Sequence, residues 1–152
     1  QLAQRSSAAA AEIRTEKVGD DLYVLFGLGG NIAVSIGSDG VLAVDTQFPQ
    51  MVPKYRATLG ELGGGKIDFA INTHWHFDHA DGNQVLGPEG TAIVAQENSR
   101  QMMTKNNVIN LVGQQREQPA YAPAALPVVT SSAPSKVAAV PSRPPVALAL
   151  VL

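Results

Sequence analysis

The sequence predicts an α/β layered fold with a largely buried sheet. Short aliphatic runs of strand length recur between residues 22 and 95, separated by turns that carry Gly and Asp. Between two of these runs, apolar residues fall at helical spacing, and a second, polar helical stretch follows the last run. Strands alternating with helices are the pattern that lays helices over a sheet. Nothing repeats at a fixed period, which argues against a solenoid.

Taken in order, Gln1–Ala11 are mostly Ala, Ser and Gln without a sustained period, and residues 1–16 read as a mobile leader. Its small residues, and the lack of a starting Met, fit the removal of a secretory signal, so periplasmic or secreted placement is the expectation, with a cytoplasmic one as the alternative. Leu22–Phe26 is the first predicted strand, closed by Gly27, Gly29 and Gly30. Those glycines resemble a phosphate loop only on the surface, because no Lys-Ser/Thr and no helix follows. Asn31–Ile36 and Val41–Asp45 are the next strands, and Ser38-Asp39-Gly40 joins them as a hairpin turn. Met51, Val52, Tyr55, Leu59 and Leu62 define a helix, with Pro53 in its first turn and Gly63-Gly64-Gly65 as its stop. Ile67–Asn72 is the fourth strand, Ala92–Ala95 the fifth, and Gln96–Asn107 a helix capped by Asn106 or Asn107. Val128–Thr130 starts another strand after the Ala/Pro-rich stretch Pro119–Pro127. The domain is thus expected over residues 17–130. Ser131–Leu152 lacks Gly, acids, amides and aromatics and carries four prolines, so it reads as a disordered or irregular tail.

Composition narrows the function classes. The formal net charge is −2 over 152 residues, which offers no electrostatic basis for a nucleic-acid partner or an anionic membrane surface. No apolar run reaches the roughly 20 residues that span a bilayer. With no Cys, disulfides, thiolate ligands, iron–sulfur clusters and Cys nucleophiles are excluded.

All three histidines lie in Thr73-His74-Trp75-His76-Phe77-Asp78-His79. On a helix, residues two apart point about 200° apart, so His74 and His76 would diverge; on an extended segment they share a face. The strand from Ile67 delivers them in that form, and the turn after it brings round Asp78 and His79. Imidazole and carboxylate suit Zn²⁺, Fe and Mn²⁺. Trp75 and Phe77, alternating with these residues, are expected on the apolar side. Asp45, ending a strand, is read as a turn cap with Thr46, with orientation of a ligating His as the alternative. The Met102-Met103 pair reads as core.

His74-Trp75-His76-Phe77-Asp78-His79, followed by Ala80-Asp81-Gly82-Asn83, resembles the His-x-His-x-Asp-His motif of metallo-β-lactamase fold hydrolases. Gly30-Asn31-Ile32, Gly40–Asp45 and Ile71-Asn72-Thr73 agree with that likeness, which covers roughly Lys17 to Thr130. It implies the truncated, N-terminal half of an αβ/βα sandwich. It also implies that His74 and His76 ligate one Zn²⁺, and Asp78 and His79 a second, with Asp78 also catalytic. The implied activity is hydrolysis of a small-molecule ester, thioester, lactone or lactam, with non-catalytic metal binding as the alternative. The family's further His and bridging Asp have no counterpart, since no His follows His79 and no Asp follows Asp81. Half a sandwich leaves one sheet face uncovered, through which self-association is expected.

Overall fold

The computed structural model describes residues 10–111 and 113–132. Its main element is one seven-stranded sheet in the order β1-β2-β3-β4-β5-β6-β9. The strands are β1 (Arg14–Lys17), β2 (Leu22–Phe26), β3 (Ile32–Gly37), β4 (Gly40–Val44), β5 (Ile67–Asn72), β6 (Ala92–Gln96) and β9 (Val129–Ser131). A separate antiparallel pair, β7 (Asn107–Leu111) and β8 (Gln114–Gln118), stands beside it. The first four strands pair antiparallel, because short turns join them. From β4 onward the pairing is parallel, since each connection is long enough to cross the sheet. The mixed α/β class is as expected.

The β3–β4 turn closes at Gly40, whose φ of 121° no other residue adopts readily. A 3₁₀ turn at Pro49–Met51 leads into helix α1 (Val52–Glu61). Its apolar stripe of Val52, Tyr55 and Leu59 is buried, and Gly63 follows at φ 84° as the stop. Two four-residue helices, α2 (Phe77–Ala80) and α3 (Asn83–Leu86), bridge β5 to β6, and α4 (Glu97–Met103) follows β6. Leu25, Ile32, Val34, Ala43, Ala70 and Ile93 turn one sheet face toward α1 and α3, and with Leu59 and Leu86 they form the main core.

Several expectations change. Arg14–Lys17 belong to the sheet, where a leader through residue 16 was expected; the strand has no apolar alternation and is held as an edge by β2. Residues 1–9, which carry most of that leader and the export signal read from it, lie outside the described residues, as do residues 133–152 of the tail. The helix expected to reach Asn107 ends at Met103. Asn107 does cap it, donating from Nδ2 to the Met102 carbonyl at 2.9 Å, but it opens β7. The face that carries Phe69 is covered unevenly: Phe69, with strands on both sides, is 49% exposed, while Ile71 on the same face is buried.

Candidate metal centre

β5 ends at Asn72, the chain bends through Thr73–Trp75, and His76 precedes α2 with φ −66° and ψ 148°. The segment expected to be extended is thus a bend, which still presents His74 and His76 together, and the first turn of α2 adds Asp78. One ligand atom from each of these three residues lies within 4.8 Å of the other two. His79 stands outside this trio but touches it: its ring lies 4.2 Å from that of His74, and Nε2 is 3.5 Å from Asp78 Oδ2. On the other side of the segment Phe77 is buried and stacks on Phe48, and Trp75 packs against the apolar clusters.

Asp45 organises this end of the sheet. It does not cap a turn with Thr46. Its buried carboxylate accepts from the Thr73 backbone N–H at 2.8 Å and the Thr73 hydroxyl at 2.9 Å, and meets His79 Nδ1 at 2.8 Å. A carboxylate only accepts, so His79 carries its proton on Nδ1 and keeps the lone pair on Nε2. The same logic passes through Thr73. Its hydroxyl proton is committed to Asp45, so Thr73 Oγ1, 3.1 Å from His74 Nδ1, accepts from that nitrogen. One carboxylate thereby sets the tautomers of two imidazoles and leaves both Nε2 atoms free to ligate. Asp45 sits at φ 66°, in the left-handed region that Asp tolerates better than most residues.

Two features of the surroundings escape a reading of the sequence. A Cβ on Gly30 would sit 2.6 Å from the His79 ring, so only glycine lets this loop lie on the histidine. Asn72 and Asn83 exchange amide bonds of 2.7 and 3.2 Å, and Thr46 donates to Asn83 Oδ1 at 3.0 Å, which ties the end of β5 to α3. On the downstream side Gln118 donates to the Trp75 carbonyl at 2.7 Å and Tyr121 to Asp81 Oδ1 at 2.6 Å. The Arg116 guanidinium lies 3.6 Å from the centre of the Phe77 ring. The adjacent glycines before Asn31 were the available signal for the first feature; the second carries none.

Burial, then the nearby His79 and His76 rings, push the pKa of His74 below its usual value. Neutral imidazole is the ligating form. Burial raises Asp81 above the usual carboxylate range, opposed by the Tyr121 hydrogen bond and by Arg116. Two imidazoles and a carboxylate are a donor set suited to zinc. Ligands of a tetrahedral zinc with bonds of about 2 Å sit about 3.4 Å apart, so side-chain rotations of about an ångström bring the three donors onto one ion. The residues present fit a metal of that kind.

Comparison with known proteins agrees with this fold. No curated protein sequence matches the chain. Among solved structures, a B3 metallo-β-lactamase with an active-site glutamic acid superposes with a TM-score of 0.67 at 20% identity, over 90% of this chain and 52% of its own. BJP-1, a subclass B3 metallo-β-lactamase of Bradyrhizobium japonicum, gives 0.55 at 20% identity, over 69% and 50%. FIM-1 from Pseudomonas aeruginosa, in its mono-zinc form, gives 0.54 at 17% identity, over 60% and 45%. The chain thus spans about half the length of these structures, and identities this low show the fold alone. The family model described as the metallo-beta-lactamase superfamily matches residues 26–144, most of the sequence, and the chain belongs to that superfamily.

Proposed function

We propose that this chain carries part of the metal site of a zinc-dependent hydrolase acting on a small ester, thioester, lactone or lactam. The carrying observation is the trio of His74, His76 and Asp78 donors within 4.8 Å, at the sheet end where β5 runs into α2. His74, whose burial favours the neutral form, and His76 present imidazoles, and Asp78 adds a carboxylate. His79, its Nε2 freed by Asp45 and 3.5 Å from Asp78, is placed to share a second ion with that carboxylate. Bound there, zinc would supply Lewis acidity and a water of pKa near 7. Asp78 Oδ2 is the base available to hold a proton of the attacking water. Phe77, Phe48 and Trp75 wall one side against solvent, and Arg116 adds a positive charge beside them. β-Lactams, which the names of the matched structures suggest, are one member of this substrate range.

A second reading is supported by the donor count. No His follows His79 and no Asp follows Asp81, so the chain offers four ligands to a two-ion site. On that reading it binds metal without turnover. Elemental analysis of purified protein, with His76→Ala as control, followed by a hydrolysis screen, separates the two. One or two zinc ions per chain with turnover of any listed substrate class supports the hydrolase. Stoichiometric zinc without turnover supports the second reading, and no metal in either protein refutes both.

A further inference from the structure

Gln47, between β4 and the 3₁₀ turn, is a costly residue on three counts. It is fully buried, its backbone sits in the left-handed region at φ 50°, and its Oε1 finds no donor among the described residues. Left-handed backbone disfavours any residue with a Cβ, and a buried carbonyl without a donor destabilises the fold as well. A glycine would relieve the first cost and an apolar side chain the last. What the Gln47 amide does reach is the Gly30 carbonyl, to which Nε2 donates. Strain gathered at one buried residue beside a functional site points to a role in that site.

We propose that Gln47 is a positioning residue for His79: its amide holds the Gly27–Gly30 loop down on the imidazole, so that the ring stays on Asp45. The loop is shaped for this. A Cβ on Gly27 would stand 3.0 Å from Gln47 Oε1, and one on Gly30 would strike the His79 ring, so bare backbone lies against both groups. Gly29, at φ 92°, turns the chain between them, where a Cβ would meet Phe48 and the Asp78 backbone. Gly30 is then held from two sides. Its carbonyl accepts from Gln47, and its N–H donates to the Asp78 carbonyl at 3.2 Å. The turn that carries Gln47 also grips α2 and the residues after it. The Thr46 N–H donates to the His79 carbonyl at 2.7 Å, and the Gln47 carbonyl accepts from the Gly82 N–H at 2.8 Å. Asp45 thus fixes the His79 ring through Nδ1, Thr46 fixes its main chain, and Gln47 closes the loop over it. The hold on the ring needs no ion; only its effect on zinc rests on the proposed metal site.

NMR of the metal-free chain reads the His79 Nδ1 proton, a zinc competition titration reads affinity, and circular dichroism checks folding. Gln47→Met keeps the length of the side chain while removing the amide and its unpaired carbonyl. The expected result is a folded protein in which the His79 Nδ1 proton, protected in the wild type, exchanges with water and disappears. Zinc affinity is expected to fall about 10-fold, the lower end for groups that orient ligands. Gln47→Gly, whose backbone takes φ 50° freely, is expected to lose the same proton and replaces the Met variant if that one does not fold. Leu59→Ala opens a cavity on the buried stripe of α1, away from the loop, and should keep the proton although it destabilises the core. A proton still protected in a folded Gln47 variant, or already exposed in the wild type, overturns the proposal. So does an unchanged zinc affinity, loss of the proton in Leu59→Ala as well, or failure of both Gln47 variants to fold. A wild type that binds no zinc refutes the metal site instead, and the proton alone then decides for or against Gln47.

Discussion

His79 and His76 lie three residues apart in one motif, yet they are held in different ways. His79 is bonded through Nδ1 to the buried Asp45 carboxylate at 2.8 Å and lies under Gly30. Among the described residues the His76 side chain makes ring contacts alone, at 4.8 Å to His74 and 4.6 Å to Trp75. His74 is intermediate, tied to Asp45 through Thr73. The fold therefore builds one side of the site in advance, with tautomer and orientation set, and leaves the other to be fixed by what it binds. Preorganised ligands lose little entropy on binding, whereas a loosely held one loses more.

The largest expected effect breaks the built side. Asp45→Ala orphans three donors: the Thr73 N–H, the Thr73 hydroxyl and His79 Nδ1. Buried unpaired donors cost about 1–3 kcal/mol each, partly relieved by rearrangement. A loss of about 3 kcal/mol in unfolding free energy is expected by urea denaturation. Asp45→Asn keeps the volume but can donate, so it no longer dictates the tautomers. Zinc affinity should fall about 10- to 100-fold, as for other groups that orient ligands. An unchanged affinity in Asp45→Asn would show that the tautomers are set elsewhere.

Gly30→Ala attacks the same side from above. The added Cβ, 2.6 Å from the His79 ring, must push the ring off Asp45 or lift the loop. Overpacking of this kind costs about 1–3 kcal/mol. The discriminating readout is the His79 Nδ1 proton, whose slow exchange by NMR should be lost in Gly30→Ala and kept in the wild type.

A smaller effect lies on the downstream side. Tyr121 donates to Asp81 at 2.6 Å, and Tyr121→Phe should cost about 1.5 kcal/mol, the lower end of the range for a bond to a charged group. Burial raises the Tyr121 phenol, with Asp81 adding to the rise, and burial also raises Tyr55. A phenol whose folded value lies above its unfolded one contributes stability that is complete below about pH 10 and is lost as pH climbs toward the folded value. Stability should therefore decline above about pH 10, less steeply in Tyr121→Phe. The ultraviolet phenolate signal of these two residues should rise only with unfolding; a rise in the native state would contradict the burial.

How much of this was legible beforehand depended on whether the signal was local. The strands of the sheet centre and α1 announce themselves by period, because their own side chains fill the core. The His cluster is legible for the same reason, since its donors all lie in one short segment between β5 and α2, although that segment bends where the spacing predicts extended backbone. β1 is not, because Arg-Thr-Glu-Lys has no apolar face and is a strand only through β2. β7 carries a cue in Val108, Ile109 and Leu111, with Gly113 at φ 79° as the turn, but β8, Gln-Gln-Arg-Glu-Gln, has no apolar residue and is a strand only through β7. Asp45 looks like a turn cap because its partners Thr73 and His79 lie 28 and 34 residues away. Sequence shows what a residue can do; which partner it finds is tertiary.

The smallest effect on stability sharpens the contrast most. His76 is only part-buried, and its side chain has ring contacts alone among the described residues, so His76→Ala should change the unfolding free energy of the metal-free protein by no more than about 0.5 kcal/mol. It nevertheless removes one of the three donors that lie within 4.8 Å. The stabilisation gained on adding zinc, which grows with the logarithm of metal concentration over Kd, should therefore shrink sharply in the variant. Paired melts with and without zinc read both quantities. A large metal-free loss in His76→Ala would mean that this side is as built as the Asp45 side. An undiminished zinc response would mean that the ion is held by His79 and Asp78 without the first pair.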